Sequence, residues 1–240
     1  MKKIASILTI LLFLTNANAQ ELRNFRFGLV FSNAIMFPAS DNVDLKSKPS
    51  YGFDYGLSID YFFTDNYAIS SGIYMDHPIY ARSGTLENNF SFSAASDSAF
   101  ALAKGINSST IGNNEKITSM NLNIPLSFKL KTNEIGYFKY FGDVGILNSF
   151  RIQSRYSLKG TDIQKIRFGK ENAEFNAINY HTKTYNFSLK IGGGIEWTIS
   201  DNTALLVGLY FYNGFIDYIE DNDAKATYIR KLSLRTGILF

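Results

Sequence analysis

Apolar and polar residues alternate with a period of two over several stretches of this chain. In Tyr51 to Phe63 (YGFDYGLSIDYFF) the odd positions are apolar or aromatic, and the even positions, apart from Phe62, are Gly, Asp or Ser. The same alternation recurs in Ile117 to Lys131 and in Tyr185 to Thr198. A period of two is typical of β-strands that bury one face, so the pattern predicts a protein built from two-faced strands.

Eight strands are predicted along the chain. Six have clear alternation: Phe25 to Met36, Tyr51 to Phe63, Tyr67 to His77, Ile117 to Lys131, Tyr185 to Thr198 and Ile229 to Phe240. The other two, Tyr137 to Asn148 and Thr203 to Phe215, carry apolar residues on both faces, so the sequence leaves their phase open. Pro125 has no N–H to donate to a neighbouring strand, and we expect a β-bulge at that position.

The connections between these strands alternate between short and long. The short ones, 64–66, 132–136 and 200–202, have Asp, Asn or Gly, which favour tight turns. The long ones are Phe37 to Ser50, Tyr80 to Lys116, Ser149 to Thr184 and Ile216 to Tyr228. Short turns on one side and long loops on the other are typical of an up-and-down barrel in a membrane.

The apolar faces are predicted to point outward, toward lipid. Most of the predicted strands exceed the ~9–11 residues that cross a bilayer and the ~5–6 usual in soluble sheets. Aromatic residues stand at both ends of the second strand, and its other face is rich in Gly and Ser. No apolar run is long enough for a membrane helix. The predicted fold is therefore an all-β, eight-stranded antiparallel up-and-down transmembrane β-barrel.

The two ends of the chain carry export and assembly signals. Lys2 and Lys3 precede the apolar run Ile4 to Leu14, and Ala17-Asn18-Ala19 follows. This order is typical of a cleavable signal peptide, so we expect a signal peptide over 1–19 and a barrel domain over 20–240. The last strand ends on Phe240 and resembles the signal read by the barrel-assembly machinery, an expected partner. The expected location is the outer membrane of a Gram-negative bacterium.

Three stretches resemble the PorT-like outer-membrane β-barrel proteins. They are Leu122 to Leu126 (LNIPL), Gly192 to Trp197 (GGGIEW) and Tyr61 to Gly72 (YFFTDNYAISSG). The resemblance covers the whole mature chain and implies an eight-stranded barrel. It also implies a role accessory to protein secretion, because the family's namesake supports a secretion and gliding apparatus.

Charged residues on the polar faces are expected to fill the lumen. The predicted network consists of Asp54, Asp60, Lys129, Lys190, Glu196 and Arg235. Because side chains fill the interior of an eight-stranded barrel, a structural role is favoured over an ion path, and no open pore is expected. The run Gly192-Gly193-Gly194 lies within a strand and lacks a following GK[ST], so it predicts close packing and not a phosphate loop.

The loop from Ser149 to Thr184 has an excess of cations. They are Arg151, Arg155, Lys159, Lys165, Arg167 and Lys170, against Asp162, Glu171 and Glu174. Such side chains bind phosphate well, and we expect contacts with outer-membrane lipid and lipopolysaccharide, although a solvated loop stays an alternative. The net charge of +3 indicates no other partner class, and no nucleic acid is expected.

The favoured function is that of a non-enzymatic surface or scaffold protein, because loops on a rigid scaffold carry binding sites. Its long loops are expected to bind a protein partner or an envelope component. A hydrolase acting on lipid or peptide at the barrel rim is an alternative, with His77 near Asp76 and Ser83, or with His181. A soluble lipocalin-like periplasmic carrier is another. No metal-ligand spacing is present, and no cofactor is expected.

Overall fold

The computed structural model describes residues 24–40, 45–84, 115–158, 161–167, 170–171, 181–200, 202–220 and 227–240. Eight long strands form the body of the molecule: β1 Phe25–Ser40, β2 Ser50–Thr64, β3 Tyr67–Gly84, β4 Glu115–Lys131, β5 Phe138–Leu158, β6 Tyr185–Ser200, β7 Thr203–Gly214 and β8 Thr227–Leu239. Five short strands lie near their outer ends: Leu45–Lys48, Thr161–Arg167, Lys170–Glu171, His181–Thr182 and Ile219–Glu220. Within these described ranges, no helix is long and apolar enough to cross a bilayer.

The eight long strands close into an antiparallel up-and-down barrel. Each strand pairs with the next along the chain, from β1 with β2 to β6 with β7 and β7 with β8. Pairing of β1 with β8, in register from Gly28 opposite Leu239 to Ser40 opposite Thr227, closes the ring. Closure removes the free strand edges that would otherwise leave backbone groups unpaired in lipid. The predicted fold is confirmed.

The apolar face of each strand points outward. Leu57, Ile73 and Leu209 keep 58%, 57% and 54% of their surface exposed, whereas the alternate residues Asp54 and Asp60 keep 2% and 3%. A water-soluble barrel has its apolar residues inside and its charged residues outside, which is the opposite of this arrangement. The soluble lipocalin-like alternative is therefore wrong.

Aromatic side chains mark the two edges of this apolar surface. At the turn side, Phe63 stacks with Tyr67 and Phe128 at ring distances of 6.2 and 6.0 Å. At the other side, Phe53 stacks with His77 at 4.7 Å. A strand rising ~3.3 Å per residue at a tilt of ~40° covers about 25 Å between Phe53 and Phe63, the height of the apolar band in outer-membrane barrels.

Several strands extend further on the long-loop side than predicted. β3 continues from His77 to Gly84, and β5 continues from Asn148 to Leu158. The prediction of a loop beginning at Ser149 is therefore wrong. Above the membrane a strand is no longer apolar on one face, so the alternation fades while backbone pairing with the neighbouring strand continues.

The open phase of Tyr137 to Asn148 reflects apolar residues inside the barrel, because Phe141 and Leu147 are buried there, whereas a bulge interrupts β5 further along. Asn121 pairs with Arg151, but its neighbour Met120 pairs with Gln153, so Ile152 is the extra residue. An extra residue shifts all following residues to the opposite face. The expected bulge at Pro125 is wrong, because the register of β4 against both neighbours is unchanged across this residue. Instead, the Ser71 hydroxyl donates a hydrogen bond to the Pro125 carbonyl at 2.8 Å.

Candidate functional site

The interior near the short turns holds five charged groups, which we call the lower cluster. Glu196 is completely buried and accepts contacts from Arg26 Nη1 at 2.5 Å, Lys129 Nζ at 2.8 Å and Lys131 Nζ at 3.5 Å. Lys129 Nζ also donates to Asp60 Oδ2 at 2.7 Å. A buried charge is tolerated only when it is paired. The lower cluster therefore ties together β1, β2, β4 and β6 across the lumen.

A second pair lies further along the barrel axis. Lys190 Nζ donates to Asp143 Oδ2 at 2.7 Å and to Ser127 Oγ at 3.0 Å, and the ammonium lies 5.1 Å from the centre of the Tyr210 ring. The Tyr210 ring also lies directly against Gly192, where a Cβ atom would collide with it. The glycine run thus makes room for an aromatic ring inside a narrow barrel.

Nearer the long loops is the upper cluster of four charged groups. Lys231 Nζ donates to Asp54 Oδ2 and to Asp76 Oδ1, both at 3.1 Å. Arg235 Nη2 lies 3.5 Å from Asp54 Oδ1, and its Nε donates to Ser32 Oγ at 3.1 Å. Two cations against two carboxylates leave this cluster neutral, and their mutual attraction offsets the cost of burying the charges.

Aromatic rings separate these groups from one another. The Arg235 guanidinium lies 4.6 Å from the ring centres of both Tyr74 and Tyr210. Lys129 Nζ lies 4.8 Å from the Phe141 ring, which packs on Tyr210 at 6.4 Å. Favourable cation–π contacts therefore fill part of the lumen between the charged groups.

All six charges expected in the lumen lie inside the barrel, but they fall into three groups. Asp60, Lys129 and Glu196 belong to the lower cluster, Lys190 to the middle pair, and Asp54 and Arg235 to the upper cluster. Five further charged residues of these groups were not predicted from the sequence: Arg26, Asp76, Lys131, Asp143 and Lys231. Alternation alone places Asp76 and Lys231 on the inward face, whereas Asp143 lies in the strand whose phase was open.

The long-loop end of the lumen is capped by Tyr218, which follows β7. Its side chain is 4% exposed, its hydroxyl lies 2.7 Å from Ser119 Oγ, and its ring packs on Tyr80 at 4.6 Å. The Lys183 N–H donates to the Tyr218 carbonyl at 2.9 Å, and the following strand Ile219–Glu220 pairs with His181–Thr182. These contacts hold residues 181–183 against residues 218–220, beside the Tyr218 cap.

The cations expected in a loop near lipopolysaccharide lie mostly in strands. Arg151 and Arg155 belong to β5, Lys165 and Arg167 to Thr161–Arg167, and Lys170 to Lys170–Glu171. Lys159 lies outside the described residues. The structure thus replaces a single loop by a β-hairpin that extends the barrel wall, since Thr161–Arg167 pairs with the outer part of β5.

The two residues expected to act together at a catalytic rim point to opposite sides of β3. Asp76 faces the lumen and binds Lys231, whereas the His77 ring stacks outside on Phe53 at 4.7 Å and on Tyr55 at 5.8 Å. These two cannot form a catalytic dyad, because neighbouring residues of a strand project to opposite faces. His181 lies in a short strand, and the side chains of Ser83 and His181 lie outside the described set.

The described part of the chain contains no group of three or more His, Asp or Glu side chains placed to hold a metal ion. The groups that converge inside the barrel are instead oppositely charged side chains already bound to one another. Their chemistry is that of a structural filling of the barrel interior.

A closed barrel with lipid-exposed aromatics and an ion-paired interior defines an integral outer-membrane β-barrel protein. The chain belongs to the outer membrane protein beta-barrel domain family, whose family model matches residues 18–220. Its location in the outer membrane, expected from the sequence, is confirmed. No curated protein matches the sequence.

Among solved structures, the chain is similar to Neisserial surface protein A at 12% identity, covering 90% of this chain and 96% of that one with a TM-score of 0.44. It is similar to OprG from Pseudomonas aeruginosa at 10% identity, covering 90% and 94% with a TM-score of 0.49. It is also similar to Ail of Yersinia pestis, in complex with a heparin analogue, at 10% identity, covering 90% and 99% with a TM-score of 0.41.

Proposed function

We propose that this protein is a non-enzymatic surface protein that binds an envelope component or a protein partner through its extracellular end. The observation that carries the proposal is the contrast between the two parts of the barrel. The interior is filled with mutually paired charges, while β5 is extended well beyond the membrane and carries a further hairpin. A filled lumen leaves the outer end as the part of the molecule available for binding.

The structure allows the extracellular end of β5 and the segment that joins it to β6 to be removed while the pairing of β5 with β6 from Phe138 to Phe150 is kept. The Arg151 N–H donates to the Thr184 carbonyl at 2.8 Å, so these residues flank the point where a tight turn can close the two strands. Replacing residues 152–183 by Asn-Gly, a favoured two-residue hairpin turn, gives a trimmed variant.

A surface protein that binds an envelope component should stabilise the outer leaflet against detergents, so we expect a strain lacking the protein to become sensitive to bile salts and the wild-type gene to restore resistance. The trimmed variant should reach the outer membrane in equal amount, as shown by its heat-dependent mobility on gels, but should fail to restore resistance. Full resistance with the trimmed barrel, or no difference between the deletion strain and its parent, would contradict the proposal.

The non-enzymatic part of the proposal predicts that the histidines are dispensable. His77 contacts aromatic rings on the lipid side, away from any described carboxylate. The double variant His77→Ala, His181→Ala should therefore restore bile-salt resistance as well as the wild type does. A double variant that is present in the membrane but restores nothing would favour the rim hydrolase.

The motifs that resemble the PorT-like branch add a finer proposal, that the bound partner belongs to a secretion apparatus. Cross-linking in cells tests it directly. The wild type, and not the trimmed variant, should be linked to secretion components.

A further inference from the structure

The lower cluster has one cation more than it has carboxylates. Its members are Arg26, Lys129 and Lys131 against Asp60 and Glu196. The middle pair and the upper cluster, by contrast, are each neutral. The lower cluster lies on the side of the short turns, which in outer-membrane barrels faces the periplasm. One unbalanced positive charge therefore lies at the periplasmic end of the lumen.

The two outer cations of this cluster have donors to spare. Arg26 donates through Nη1 to Glu196, and its Nε and Nη2 groups have no partner among the described residues. Lys131 Nζ reaches the same carboxylate at 3.5 Å, the longest of the three contacts that Glu196 receives. Since Arg carries five N–H donors and Lys three, Arg26 and Lys131 can bind a further anion without releasing Glu196.

Arg26 and Lys131 line a cavity of about 920 Å³ at the periplasmic mouth of the barrel. Small-molecule sites are usually ~300–1,000 Å³ in volume. The acids that line this cavity are Glu134, which Lys139 binds at 3.0 Å, and Asp65, in the exposed turn between β2 and β3. Hydroxyl and amide side chains complete its polar part: Thr64, Thr132, Asn133, Ser200 and Asn202.

The same cavity reaches the lipid-facing surface. Among the described residues, backbone pairing of β1 with β8 ends where the Phe27 N–H donates to the Phe240 carbonyl at 2.9 Å, and the next residue, Arg26, pairs with Asp60 of β2. The cavity is also lined by four phenylalanines of the lipid-facing surface, each 39–52% exposed: Phe25, Phe27, Phe63 and Phe240. A ligand here meets cations on one side and aromatic rings on the other, so it should be amphipathic.

We propose that this cavity binds the headgroup of an anionic phospholipid from the periplasmic leaflet of the outer membrane. The single negative charge of its phosphodiester balances the surplus charge of the lower cluster. Arg26 and Lys131 supply charge-assisted hydrogen bonds, as in other basic pockets that bind lipid headgroups, while the acyl chains pass over the phenylalanines. A zwitterionic lipid fits less well, because its ammonium group would lie beside the same cations. The site lies at the end of the barrel opposite the proposed extracellular binding surface and is independent of it.

The test uses the purified mature barrel in a neutral detergent and phosphatidylglycerol with a fluorescent label on its acyl chain. The competitors are unlabelled phosphatidylglycerol, phosphatidylcholine and soluble glycerol phosphate. The variants Arg26→Gln and Lys131→Gln each leave two cations against two carboxylates in the lower cluster, so both should fold, as shown by heat-dependent mobility on gels. The matched control, Arg230→Gln, removes one exposed cation at the opposite end of the barrel.

We expect the wild type and the control to bind phosphatidylglycerol about tenfold more tightly than phosphatidylcholine, as hydrogen bonds to charged groups imply. Each cavity variant should lose this preference. Equal affinity of the wild type for the two lipids, or cavity variants that keep the full preference, would overturn the proposal. Displacement of the labelled lipid by millimolar glycerol phosphate would show a site for free phosphate and would overturn it too. The competition on the wild type needs no variant, so it decides the proposal even where a variant does not fold.

Discussion

Replacing Glu196 by Gln is expected to destabilise the barrel by about 3 kcal/mol, the usual cost of removing one partner from buried charges. Glu196 is completely buried and meets Arg26, Lys129 and Lys131. Without its carboxylate, Lys129 keeps the Asp60 carboxylate as a partner, while the contacts of Arg26 and Lys131 with position 196 are lost. The effect is measured by urea unfolding in lipid vesicles, followed by the fluorescence of Trp197, the chain's single tryptophan.

Two further variants make this prediction specific. Adding Lys131→Met should recover part of the loss, because it removes the cation whose carboxylate has gone while keeping its packing on the Phe62 ring, 4.2 Å away. Glu134→Gln is the exposed control. Its hydrogen bond from Lys139 holds the pKa of Glu134 below its usual value, but the pair is in water and its loss should leave the urea midpoint unchanged. Equal midpoints for Glu196→Gln and the wild type would refute the structural role of the lower cluster.

Replacing Leu57 by Arg is expected to cost about 2–4 kcal/mol, because it places a charge on the lipid face near the centre of the bilayer. Leu57 is midway along β2 between Tyr51 and Phe63, and 58% of its surface is exposed. In a soluble protein, such an exposed substitution would change the stability by no more than about 0.5 kcal/mol.

The matched control for this prediction is Tyr51→Arg on the same face of the same strand. Tyr51 lies at the outer edge of the apolar band, where a charge costs only about 0–1 kcal/mol. Both variants are compared with the wild type by reversible urea titration in vesicles. Equal losses at the two positions would mean that this face does not meet lipid.

The sequence predicted the strands that cross the membrane better than the parts above it. Within the bilayer, lipid outside and a crowded lumen inside force strict alternation, so β2, β4 and β6 could be recognised with their facing. Beyond the bilayer both faces of a strand meet water, and the pattern no longer distinguishes β5 after Asn148 from a loop. Its continuation to Leu158 depends on pairing with β4 and with Thr161–Arg167, which are remote partners.

For the inward charges, the sequence likewise predicted their facing but not their pairing. Alternation predicted that Asp54, Asp60, Lys129, Lys190, Glu196 and Arg235 face inward, and they do lie inside the barrel. It could not predict that Glu196 is shared by three cations from β1 and β4, because the relative stagger of strands decides which side chains meet across a lumen.

By itself, the sequence determined that this protein is an outer-membrane barrel, because a period of two with aromatic ends is a local property of each strand. The tertiary structure decided which charges pair across the lumen. A single bulge at Ile152 reverses the facing of the outer part of β5 and turns Arg155 away from Arg151. Such a bulge is defined by the register against a neighbouring strand, and that register is set by the closed barrel as a whole.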